Sequence, residues 1–270
     1  MNFPPAFPAW LAAAIGVAVV LSIAIYTILL RQVLMGGGKV SAREFGLPDL
    51  FLGSFFAIWF GVAITQGFRA APHALTNRDV VHGAVLFVVI MSGIAGFLRY
   101  RGLQLRSQFG FTRISAPKAL AIALALLLAT YPTIALVGKL TEQALGEKAQ
   151  RQEVVSFFLD AAQSSNRFSL VLTLFLGVIV APVAEEFLFR GYLYGVMKRY
   201  CGTLSAMVLS SALFAAIHLN LSSLPSLFVL ALCFVIAYET TGSILVNMSM
   251  HALFNATMFL VMLNLPPSLR

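Results

Sequence analysis

Eight apolar runs follow one another along this chain, at residues 10–30, 50–68, 80–98, 119–137, 168–199, 203–219, 224–238 and 243–263. A run of about 20 apolar residues is long enough to cross a bilayer as a helix. Inside hydrocarbon every backbone N–H and C=O must find its partner within the protein, which leaves helices and closed barrels as spanning structures. The alternation expected of barrel strands is absent, so the runs predict helices. Composition agrees: 60% of the residues are hydrophobic and 10% charged, against roughly 45–50% and 25% in soluble domains. The expected fold is all-α, a polytopic membrane protein of about eight transmembrane helices around a polar cavity. No internal repeat or low-complexity linker divides it. A single membrane domain over 1–270 is expected, with four N-terminal helices over 10–137 and a four-helix core over 168–263.

The net charge of +8 does not point to nucleic acid, because the basic residues gather in a few loops. Counting Lys and Arg over eight spans places Arg31, Lys39, Arg43, Arg99, Arg101, Arg106, Arg113, Lys118, Arg190, Lys198 and Arg199 inside, with both termini outside. The leader Met1-Asn2-Phe3-Pro4-Pro5 has no Lys or Arg, and the first run exceeds a signal-peptide h-region, so it is read as a retained helix. Gly36-Gly37-Gly38 reads as a flexible link, Pro48-Asp49 as a helix start, Pro132 as a kink and Pro266-Pro267 as the end of the last span. Between 138 and 167 four basic and four acidic residues cancel. There Val154-Val155 and Phe157-Phe158-Leu159 fit either an interfacial amphipathic helix or a solvated connector. The fifth run exceeds one crossing and should tilt, break near Pro182, or protrude. Cys201 and Cys233 show no metal spacing, and no structural disulfide is expected.

Within these runs sit a few residues that hydrocarbon disfavours. Two of the ten acidic residues, Glu185 and Glu186, stand side by side in the fifth run. An intramembrane ionisable residue is a functional hypothesis by default. Arg190 follows Glu186 by four positions, where an ion pair forms on a helix. Adjacent side chains diverge by about 100° on a 3.6-residue turn, so Glu185 is free to face the bundle while Glu186 pairs with Arg190. Phe214 and His218 lie four apart in the sixth run, and His251 and Asn255 four apart in the eighth. Each has a structural reading: an ion pair, a packing histidine, interhelical hydrogen bonding worth about a kcal/mol or less. His73 and His82 lie in or beside a loop and are left as structural. Together, a carboxylate, two histidines and an amide on three apolar helices are costly unless they share one polar cavity.

The order Glu185-Glu186-Phe187-Leu188-Phe189-Arg190, then Phe214 to His218, then His251 to Asn255, resembles the CPBP family of Rce1-like, CAAX-type intramembrane proteases, also grouped as Abi. The three motifs match without departure, over the C-terminal third. The resemblance implies a membrane-embedded endopeptidase. In it Glu185 and His218 hold and deprotonate the attacking water, His251 and Asn255 stabilise the oxyanion, and Glu186, Arg190 and Phe214 support the site. This is chemically coherent, since hydrolysis needs a base and donors aimed where negative charge develops. It implies no cofactor, a peptide or protein substrate (a CAAX-like tail, leader peptide or sorting tail, possibly membrane-anchored), no nucleic acid, and the multi-pass membrane location of compact prokaryotic members. The rival within the enzyme class is zinc held by Glu185, His218 and His251, although no HExxH helix is present. A non-catalytic peptide-binding or immunity protein, and a proton-linked transporter, are the readings from other classes; no inverted repeat favours the transporter.

Overall fold

The computed structural model describes residues 8–70, 74–149, 151–164 and 166–264. The leader up to Pro5, Pro72, His73, Pro266, Pro267 and Arg270 lie outside the described residues. Among those described, all regular structure is helical. The order is α1 (Ala9–Gly36), α2 (Leu47–Gly67), α3 (Asn77–Tyr100), the short α4 (Leu105–Gln108), α5 (Ala116–Leu145), α6 (Glu153–Gln163), α7 (Arg167–Cys201), α8 (Thr203–Ala216), α9 (Leu224–Thr241) and α10 (Ile244–Asn264). Seven of these, all but α4, α6 and α8, are long and apolar enough to cross a membrane.

Local chemistry sets several ends. Thr76 and Asp79 close the start of α3 reciprocally, each side chain accepting from the other's backbone N–H. Prolines stand in the first turns of α2, α5 and α9, where no N–H is needed. α5 runs uninterrupted through Pro132 to Leu145, beyond the expected end at 137. The 138–167 stretch contains the amphipathic α6, whose Phe158 packs on Phe259 of α10 at 4.5 Å.

α9 is the central post. Leu230, Ala231, Phe234, Val235, Ala237 and Tyr238 are all buried, and α9 packs against α1, α5, α8 and α10. α1 and α3 instead present Val17, Val20, Leu21, Val85 and Val89 outward, as lipid-facing helices do. α1 is tied to α5 by hydroxyls: Ser22 to Thr133 and Tyr26 to Thr130, both at 2.6 Å.

At one end of the bundle the 37–46 loop is pinned rather than loose, which corrects the flexible-link expectation. Lys39 N donates to the Glu239 carbonyl at 2.8 Å, Val40 N to Glu239 Oε2 at 3.3 Å, and Lys198 Nζ to the Val40 carbonyl at 2.9 Å. Glu239 is fully buried and its Oε1 also accepts from Tyr194 and Lys198. Gly38 lies directly on the Glu239 carboxylate, where any side chain would collide. Both cysteines are free.

α8 has 14 residues, about 21 Å at 1.5 Å per residue, so it traverses only part of a core about 30 Å thick. It ends at Ala216 rather than 219, and Leu219 takes a left-handed φ of 54° beyond it. The short helix resolves the depth of His218. Glu186 precedes the end of α7 by 15 residues and His218 follows the start of α8 by 15, so the two stand equally far along the chain from the α7–α8 turn.

Candidate active site

α7 does not break at Pro182; it changes register on both sides of it. Leu176–Val180 and Phe187–Leu193 are π-helical and flank the α-helical Ala181–Glu186. Such π turns recur where a helix must aim a functional side chain. The acid pair sits at the end of the α-helical insert, one turn past Pro182.

Glu186 is fully buried and is the hub of the site. Its Oε1 accepts from Arg190 Nη1 at 2.9 Å and from His251 Nδ1 at 2.9 Å. Its Oε2 faces Asn247 Nδ2 at 3.4 Å. A buried charge is tolerated when it is paired and hydrogen-bonded, and Glu186 is both. The Arg190 guanidinium is held between rings, 4.1 Å from the Phe214 centroid and 5.2 Å from that of Phe234. Glu185 keeps 13% of its side chain accessible, and its Oε2 stands 3.9 Å from His251 Nε2. The two carboxylates therefore divide as their helical spacing predicts, one into the ion pair and one toward the histidines.

Both imidazoles are oriented through Nδ1. His218 Nδ1 lies 2.7 Å from the Phe214 carbonyl. A carbonyl only accepts, so this contact assigns the proton to Nδ1 and leaves the Nε2 lone pair available. His251 Nδ1 is engaged by Glu186, which leaves its Nε2 toward Glu185. The Phe214 ring packs near both imidazoles, 4.8 Å from His218 and 5.9 Å from His251 between centroids. His218 stands within electrostatic reach of Glu185, His251 and Arg190. Thus Glu185, His218, His251, Glu186, Arg190 and Phe214 meet at one depth. Asn255 lies one turn further along α10, and its Nδ2 donates to the Gly177 carbonyl on α7 at 2.7 Å. Among the described residues, no three His, Cys, Asp or Glu side chains converge in an arrangement that could hold a metal ion.

Asn247 escaped the sequence reading. It is fully buried, with Nδ2 donating to the Phe234 carbonyl at 2.8 Å as well as facing Glu186. The signal was present as Asn247, His251 and Asn255 at steps of four, one stripe of α10. Phe234, 5.5 Å from His251 between ring centroids, carried no signal among so many apolar neighbours.

The comparisons with known proteins fall on this part of the molecule. Residues 167–257, from the first residue of α7 to the turn beyond Asn255, match a family described as type II CAAX prenyl endopeptidase Rce1-like. An uncharacterized 24.3 kDa protein of Escherichia coli is 37% identical over 87 residues, which cover 30% of this chain and 40% of that protein. No solved structure matches.

Proposed function

We propose that the chain is a membrane-embedded endopeptidase of the CAAX-protease type, in which Glu185 and His218 activate water without a metal. The observation that carries this reading is the pair of histidines tied through Nδ1, to Phe214 and Glu186, beside a carboxylate that remains accessible. A water between Glu185 and His218 Nε2 gives up a proton to this pair while its oxygen attacks the peptide carbonyl. The C–O bond forms, the C–N bond breaks, and the proton passes to the leaving amine. His251, its ring oriented by Glu186 at Nδ1, turns Nε2 toward the site and donates to the oxyanion in its doubly protonated form. Glu186 and Arg190 hold this geometry, and Phe214 packs near both rings. The substrate class is a peptide or protein segment at the membrane: a CAAX-like tail, a leader peptide or a sorting tail.

The test compares peptide termini of the membrane proteome in cells carrying the native chain and the Glu185→Ala chain at matched abundance. Termini that depend on Glu185 are expected and would name the substrate. Identical termini with a phenotype that survives the substitution would favour a peptide-binding or immunity role.

A further inference from the structure

Pro182 lies in the turn that carries the acid pair, and its missing N–H has a definite consequence. In the π segment before it, Ala181 N–H donates five residues back to the Leu176 carbonyl. The next donor in that register would be residue 182, directed at the Gly177 carbonyl. Proline supplies none. The α-register donor for Gly177 is Ala181 N–H, which is already bonded to Leu176. The Gly177 carbonyl is thus left without a main-chain donor inside an apolar helix, where an unsatisfied polar group is costly.

Asn255 fills that position, its Nδ2 2.7 Å from the Gly177 oxygen. The approach requires α10 to lie tight on α7, and Gly177 allows it: a Cβ there would stand 2.9 Å from the Phe259 ring. We propose that Asn255 is a positioning residue that replaces the N–H missing at Pro182, and so fixes the rotation of the α7 turn that presents Glu185 and Glu186. Its contact runs to helix backbone, not to the imidazole nitrogens. Its effect on catalysis is transmitted through α7. The inference deepens the protease reading and rests on it only for the kinetic readout.

A double-mutant cycle tests it on the full chain in detergent or nanodiscs. Pro182→Ala returns an N–H to residue 182, so the Gly177 carbonyl no longer depends on Asn255. In the native background Asn255→Ala should lower kcat by roughly tenfold, in line with one orphaned buried carbonyl, and lower Tm, with KM little changed. In the Pro182→Ala background the same substitution should cost less than about threefold in kcat and little in Tm, the non-additivity expected of two groups sharing one partner. Equal losses of kcat and Tm in the two backgrounds would overturn the inference. A kcat loss equal in both with Tm unmoved would overturn it too, and would assign Asn255 a direct role at the reacting atoms. The Tm cycle reads the coupling even if no turnover is found. Failure of the protease reading would therefore show as absent turnover with the Tm coupling intact.

Discussion

Glu239 and Glu186 are both fully buried carboxylates, and they do opposite things with their surroundings. Glu239, at the loop end of the bundle, accepts from Tyr194, from Lys198 and from the backbone of Val40. Its neighbours Lys198 and Lys39 go on to bond the same loop or the same residue's carbonyl. The network closes on itself and ties the 37–46 loop to α7 and α9. Glu186, deep in the bundle, accepts from Arg190 and His251 and faces Asn247. That network opens outward, because His251 keeps Nε2 toward Glu185, and Glu185 is not fully buried. Burial and an ion pair are common to both places. What separates a clamp from a site is whether donors and acceptors remain unengaged at its edge.

Substitutions can break or sharpen this contrast. The largest expected loss of stability is Arg190→Ala, which leaves Glu186 charged and without its cation between Phe214 and Phe234. Removing one partner of a buried pair costs about 3–5 kcal/mol, so thermal unfolding should drop sharply and expression with it. A stable but inactive protein would place Arg190 in the chemistry instead. Next is Glu239→Gln, which loses the charge that holds Lys198 and Tyr194. It should cost about 1.5–3 kcal/mol, and kcat should stay within about twofold if the network is only a clamp. Lost turnover at unchanged Tm would erase the distinction between the two carboxylates. The smallest is Tyr26→Phe, which removes one hydroxyl between α1 and α5. Interhelical hydrogen bonds in membrane proteins average about 0.6 kcal/mol, so Tm should move by little and turnover not at all. A loss as large as that from Glu239→Gln would mean that the lipid-facing helices support the core more than their exposure suggests.

The fold was legible because a bilayer allows so few answers to a long apolar run. The seven long helices begin and end within a few residues of the apolar runs, apart from the longer C-terminal reach of α1 and α5. The acid pair, His218 and His251 were legible for the same reason, since hydrocarbon makes each costly and their co-occurrence conspicuous. The rest was hidden by physics that acts between helices. Gly36-Gly37-Gly38 has a flexible composition, and the groups that pin the loop beyond it, Glu239 and Lys198, lie far away in the sequence. The register shifts around Pro182, and the Asn255 amide that reaches the Gly177 carbonyl from α10, left no local pattern in the sequence. The end of α8 near Ala216 was blurred because the hydrophobic run continues past the helix. Asn247 went unnoticed as one amide between Val246 and Met248, although its step of four to His251 was available.

In the proposed mechanism Glu185 is the base and Glu186 its scaffold. The most direct measurement is kcat and Tm for Glu185→Gln, on the purified chain with a substrate carrying the Glu185-dependent cleavage site. A loss of turnover of about 10²–10⁴, the range of a general base, is expected with Tm unchanged, because Glu185 forms no part of the Glu186–Arg190 ion pair. Turnover within a few-fold of the native chain, in a protein that folds as well, would contradict that mechanism.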